Sequence, residues 1–430
     1  MQKTKINIKN NVSLNVVQTD KFKMSRLSIS FIYEADRVES PKRKLTYSTL
    51  MRGSKKYPTV KDINCALDDL YGSTVIYRFS SDGDRHVYTF VCEMLEDRYL
   101  PDGEKLDILR GTLNILGDTI FNPLLDVDGL LRSDYVESEK SIALDNIRAK
   151  LNDQRSYSAS NCKKIMFKGE KCGIPIDGDV DIVSTFDNSV LTDCYKNIFD
   201  DVRVECFYIG SNDSGTMEEI MSDFFSRLPK STLDSSYGYK PFISTSSLSY
   251  IEEKQSVTQG RLNIGMTCDV VMGEDDYYSM SLFNEIFGGN STSKLFMNIR
   301  EKKSLCYYCN SVYLVSKGAI FVACGVNPSN KDEAYREILY QLDQMKKGNI
   351  TDDEIMTAKK VICGALKQVS DSAAGIDGFS FRRTMAGIVE SPEDVSRRIN
   401  AISREDIIRV AGSVSPHTVY FLYGEEDENE

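Results

Sequence analysis

Histidine is nearly absent from this chain. His86 and His417 are the only two among 430 residues, and they lie far apart in the sequence. One follows a hairpin-like turn and the other sits beside Pro416, so both read as surface or strand-end residues. No Ser-His-Asp or Cys-His motif surrounds either. A basic excess is also missing: the formal net charge is −11 and the pI about 5.0. That argues against a nucleic-acid binder with a basic face and against an anionic membrane surface as partner. It suits a protein kept monodisperse by self-repulsion. Long apolar runs are lacking too. The longest, near residues 318–326 (GAIFVACGV), falls far short of a membrane span. The opening MQKTKINIKNNVSL is polar and has no apolar h-region, so no secretory signal is expected. Eleven cysteines at irregular spacings make no disulfide framework; the expected compartment is the reducing cytoplasm, with thiols mostly free and buried.

What is present is ordinary globular composition, 41% apolar and 27% charged. The length suits two domains. Periodicity predicts a strand over 26–33, helices over 42–51 and 59–71, strands over 73–80 and 85–93, helices over 104–119 and 134–152, and a strand over 204–210. Gly53 is expected to close the first helix as a left-handed cap, and Thr59 to cap the second. The order then repeats: strand 261–268, helices 275–287 and 291–300, strands 305–314 and 319–326, helices 331–346 and 352–370, and a closing strand at 417–424. Arg26 matches Arg261, Gly53 matches Gly288 or Gly289, and Cys92 falls near Gly325, an offset of about 235 residues that suggests an internal duplication. The expected class is α+β: two homologous halves, each a mainly antiparallel sheet covered by helices. The halves are set at 1–228 and 257–424, with a Ser/Thr/Pro/Gly-rich linker at 229–256 and an acidic tail at 425–430.

Three local patterns invite chemistry. Cys306 and Cys309 form a CxxC without a second pair, which argues against a zinc site. In a regular strand their side chains would point to opposite faces. DGDVD at 177–181 starts like a calcium loop but lacks the glycine and glutamate that complete one. GGNSTSKL at 288–295 precedes a helix whose N-terminus could hold an anion, yet it is no Walker motif.

Longer stretches carry a resemblance. RGSKKYPT followed by a helix and LYG, then LFNEIFGGNSTSKLFMNIREKKSLCYY, is similar to the pitrilysin-like zinc peptidases, the inverzincins, which include the mitochondrial processing peptidase subunits. KFKMSRLSISF, DDLYGS, FNPLL and SEKSIAL look closest to bacterial members associated with elongation factor P modification. The resemblance implies the processing-peptidase (LuxS-like) fold in a clam-shell arrangement. Active members carry HxxEH on a helix, two zinc-binding histidines and a general base on one face. Registered on Gly53, those places hold Lys44, Tyr47 and Ser48. The third ligand, seven residues after the acidic Glu139, is Asn146, or Asp145 if the register slips by one. A protonated lysine repels zinc, and one carboxylate cannot hold a catalytic ion that needs about three protein ligands. No metal or other cofactor is therefore expected in this chain, and no hydrolysis by it alone.

In the family, an arginine and a tyrosine seven residues later reach into the active site from the second half. Arg300 and Tyr307 match that spacing. Local sequence alone leaves another role open: Arg300 capping a helix, Tyr307 packing in a sheet. The resemblance implies a heterodimer in which an HxxEH-bearing subunit supplies the zinc and this chain supplies Arg300 and Tyr307 around a peptide substrate. The alternative is a non-enzymatic scaffold or peptide-binding protein in elongation factor P modification, holding its ligand at a sheet edge.

Overall fold

The computed structural model describes residues 3–200, 202–229, 237–244 and 247–424. The expected acidic tail, and parts of the expected linker, lie outside them. No helix among the described residues is long and apolar enough to cross a membrane. The chain forms two compact units.

The first unit contains a six-stranded sheet built from β1 (Lys3–Lys9), β2 (Val12–Gln18), β3 (Met24–Glu34), β4 (Thr74–Asp82), β5 (Arg85–Leu95) and β6 (Arg203–Gly210), in the order β1-β2-β6-β3-β5-β4. Pairing is antiparallel except for β2 beside β6. The second unit contains β7 (Ser249–Lys254), β8 (Gly260–Thr267), β9 (Cys306–Leu314), β10 (Ala319–Val326) and β11 (Ser415–Tyr423), in the order β7-β11-β8-β10-β9. Here β7 beside β11 is the parallel pair. Without β1, the two sheets match strand for strand in order and direction, as the duplicated α+β reading expects. The offset is not constant, however. Arg26 pairs across the sheet with Glu93 and Arg261 with Gly325, so Glu93, not Cys92, stands in the place of Gly325.

The central strand β3 is buried along nearly its whole length. Leu27, Ile29, Phe31 and Tyr33 face the helical core, as period two requires. The other face presents Arg26, Ser28 and Ser30, also buried. The helices of this unit include α1 (Glu39–Leu50), α2 (Val60–Asp68), α3 (Ile108–Phe121) and α4 (Ser133–Asn152). α2 starts at a Thr59–Asp62 capping box, as expected. Gly53 is not a left-handed cap: its φ is not positive. A Cβ there would lie 2.2 Å from the Pro58 carbonyl oxygen, so the glycine serves the close return of the RGSKKYPT turn.

Two segments depart from a single cut in the linker. Residues 150–173 belong to the second unit and Asp371–Phe381 to the first. The first of these contains α5 (Gln154–Met166), which packs on β8 and β11. Its Cys162 lies in one cluster with Val257, Tyr420 and Leu422. Met166 fills the space above Gly265, where a Cβ would come within 2.6 Å of its sulfur. The second segment is held on β3 by charge. Asp377 accepts from Arg26 Nε at 2.9 Å and from Ser28 Oγ at 2.8 Å. Ile376 and Phe381 pack with Val17, Phe207 and Ile209. β7 is a further departure, an edge strand within the expected linker.

Removing one partner of a buried ion pair strands the other charge. Asp377→Ala is therefore expected to destabilise the first unit by about 3 kcal/mol, while Arg26→Met with Asp377→Leu regains most of the loss. Urea unfolding of the variants checks this; a single variant as stable as the parent would show that the pair holds nothing.

Candidate functional site

α1 starts where Asp36 Oδ1 accepts from the backbone N–H groups of Val38 and Glu39, both at 2.8 Å. Those bonds, the Glu39 one foremost, hold the Asp36 carboxyl below the usual carboxylate range. Leu45, Tyr47 and Leu50 bury one side of the helix in the core. Tyr47 has no exposed surface and its ring lies 5.4–5.5 Å from those of Phe31, Tyr88 and Phe90. Its hydroxyl meets Tyr33 Oη at 2.8 Å, and Tyr33 donates onward to the Ile198 carbonyl at 2.6 Å. Burial pushes both phenols above their ordinary range, so Tyr47 stays protonated and cannot act as a base.

The other side of α1 lines a small pocket of about 50 Å³. Lys44 and Ser48 from α1 meet Glu139, Ile142 and Asn146 from α4 there, with Asp177 from the loop 174–179. Three of the four degenerate positions therefore converge, and Tyr47 alone turns away into the core. The Lys44 ammonium is paired with Asp177 and lies 5.7 Å from the Phe79 ring centre. Glu139 is raised above the usual carboxylate range by burial, an effect opposed by Arg52 at 3.5 Å.

These groups do not fit zinc. An ammonium already satisfied by a carboxylate stands where a histidine is needed, and hydroxyl and amide groups stand at two further ligand places. Among the described residues no group of three or more His, Cys, Asp or Glu is arranged to hold a metal ion. Sequence reasoning missed Asp177, which it read only as part of a calcium-like loop; Asp177 pairs with Lys44, and Asp179 with Arg37 at 3.1 Å. His86 stands at the start of β5, a strand-end residue as expected, but not a surface one. It is buried, with Nε2 3.1 Å from the Ile174 carbonyl.

The second unit places Arg300 and Tyr307 on either side of a tight turn. Arg300 lies in the π-helical stretch Phe296–Lys302. Ser304 then adopts a left-handed conformation (φ 53°), and Leu305 N–H returns to the Ile299 carbonyl at 3.0 Å. The Arg300 guanidinium stacks over Phe296 at 4.7 Å and lies 3.6 Å from the Glu301 carboxylate. Tyr307 does not pack in the sheet. It is 66% exposed, because β9 shifts register here: Tyr308 lies opposite Gly325 and Cys306 opposite Val326, leaving Tyr307 as the extra residue of a bulge. A Cβ on Gly325 would lie 2.3 Å from the Tyr308 ring, so glycine is needed for that ring to lie flat on the strand.

Rebuilding HxxEH by Lys44→His, Tyr47→Glu and Ser48→His is expected to destabilise the chain without creating a hydrolase, since a carboxylate at 47 would sit in the aromatic core. Tyr47→Phe should cost only about 1 kcal/mol and Tyr47→Ala about 3–5 kcal/mol. Thermal unfolding and a peptidase assay with added zinc check this, and a stable, active triple variant would contradict it.

Residues 185–362 match the family described as the peptidase M16 inactive domain. The probable inactive metalloprotease YmfF of Bacillus subtilis is 30% identical over 415 residues, covering 96% of each chain. A conserved protein of Enterococcus faecalis shares the fold with a TM-score of 0.91 at 24% identity, over the full length of both chains. A peptidase M16 inactive domain from Pseudomonas fluorescens shares it at 0.79 and 16%, again over both full lengths. With a relative of this kind along nearly its whole length, the chain belongs to the pitrilysin-like M16 peptidase family, among its inactive members.

Proposed function

We propose that this chain is the metal-free, substrate-binding subunit of a heterodimeric pitrilysin-like peptidase that cleaves small peptides. The partner would be an HxxEH-bearing subunit that supplies the zinc. The observation that carries the reading is the state of Arg300 and Tyr307. They share one turn at family spacing, both are exposed, and among the described residues the Tyr307 hydroxyl makes no hydrogen bond.

Each would act on the peptide by its own chemistry. The Arg300 guanidinium offers a planar fork of donors to a backbone carbonyl or terminal carboxylate. The Tyr307 hydroxyl can donate to an oxygen that gains negative charge as the peptide bond is attacked; one well-placed donor of this kind contributes about 3 kcal/mol. The pocket beside Lys44 takes no part in bond breaking.

A second reading is a non-catalytic peptide-binding or scaffold protein, and the first sheet offers an observation in its favour. β4 is an edge strand whose Ile76 is 53% exposed, so an extended peptide could pair with it and find an apolar contact.

Purification of the chain from its own cells under mild conditions, with intact masses of what co-elutes, decides between them. A similar-sized HxxEH-bearing partner is expected; a homodimer alone would favour the scaffold. In the heterodimer, Arg300→Ala and Tyr307→Phe should each lower peptidase activity about a hundredfold without dissociating the complex. Parental rates in both would overturn the assignment.

A further inference from the structure

The bulge at the start of β9 has a second consequence. An extra residue in a strand reverses the facing of everything before it. Cys306 and Cys309, which would point apart in a regular strand, therefore point to the same side, and both are buried. Cys309 lies directly opposite Cys324 on β10, which is buried as well. Opposed residues of antiparallel strands have Cβ atoms about 4.5–5.5 Å apart. The register puts Cys306, opposite Val326, on the same face of the sheet as Cys309 and Cys324, and no two of the three are joined as a disulfide.

The three sulfurs are not equivalent. Hydrogen bonds from Cys309 and then Cys324 favour the thiolate of Cys306, with the Arg300 charge adding to the effect, and its proton is held well below the ordinary thiol range. Cys309 and Cys324 are pushed well above it, chiefly by their bonds to Cys306. Other buried cysteines behave differently: burial raises Cys92, Cys162 and Cys268 to about 12. One thiolate with two protonated thiols in contact is the arrangement that oxidation to a disulfide requires. The two neighbouring S–H groups and Arg300 act on Cys306 at short range and outweigh the distant acidic net charge of the chain.

We propose that Cys306, Cys309 and Cys324 form a peroxide-reactive thiol site, in which Cys306 is oxidised and one of its two neighbours closes a disulfide with it. The Cys306 thiolate attacks one oxygen of hydrogen peroxide. The O–O bond breaks, a sulfenic acid forms, and the departing hydroxide takes up a proton as water. Cys309 or Cys324 then gives up its proton and attacks the Cys306 sulfur. The S–O bond breaks, the S–S bond forms, and hydroxide leaves with that proton as a second water. Two thiols lose two electrons in total and the peroxide gains them. The chemistry needs neither a partner subunit nor peptide hydrolysis, so it stands apart from the proposed function.

The test uses the reduced full-length chain treated with a small excess of hydrogen peroxide, followed by thiol counting and disulfide mapping by mass spectrometry. The expected result is rapid loss of two thiols per chain, a disulfide that includes Cys306, and full recovery with dithiothreitol. Cys306→Ser should slow that loss by about tenfold or more, whereas Cys65→Ser, at an exposed cysteine, should leave it unchanged. Mapping on the unsubstituted chain stands even if a variant fails to fold. Fast oxidation confined to Cys65, Cys194 or Cys363 would overturn the proposal. So would oxidation of Cys306 that stops at a sulfinic acid with no disulfide.

Discussion

The burial of Tyr47 among Phe31, Tyr88 and Phe90 sets the orientation of α1, and the rest of the first unit's site depends on it. A helix with one large aromatic anchored in the core cannot rotate about its axis. Lys44 and Ser48, together on the side of the helix away from the core, are thereby held against the pocket that α4 completes. The place where an active relative needs an ionisable base holds a phenol sealed from water. Its apolar surroundings keep its proton on. Loss of hydrolytic chemistry is thus built into the packing and does not rest on missing ligands alone.

With β1 set aside, duplication gives each unit the same arrangement of one parallel and three antiparallel pairings, yet the copies have diverged in what they carry. The first strand pair to differ is instructive. Arg26 in β3 is buried and held by Asp377 and Glu93. Arg261, at the same place in β8, lies 5.8 Å from the Tyr308 ring centre, opposite Gly325. The glycine that lets Tyr308 lie flat sits beside the bulge that turns Tyr307 outward and gathers three thiols inward. One local irregularity in β9 therefore creates both features of the second unit that invite chemistry.

Much of the fold was legible in the sequence because its signals are local. Thr59 and Asp62 make their capping box within four residues, and the strand and helix periods mark most elements to within a few positions. Other features were hidden. β1 and β2 begin in a polar stretch, and β2 is buried because Val12, Leu14 and Val16 join the core and Val17 packs with Phe207, Ile209 and Ile376 on the other face. β7 lies in a segment whose composition reads as linker. α5 and residues 371–381 each join the unit that their sequence neighbours do not, since their apolar faces and Asp377 find complementary partners there.

The sequence by itself determined the family, the duplicated α+β plan and the loss of the metal motif, because each is written in residue types at fixed spacing. The tertiary structure decided which of those residues meet. It brought Lys44 to Asp177, turned Tyr47 into the core, and set Cys306 beside Cys309 and Cys324. Those outcomes depend on one residue of strand register, on burial, and on charges far apart along the chain, and none of these leaves a periodic trace in the sequence.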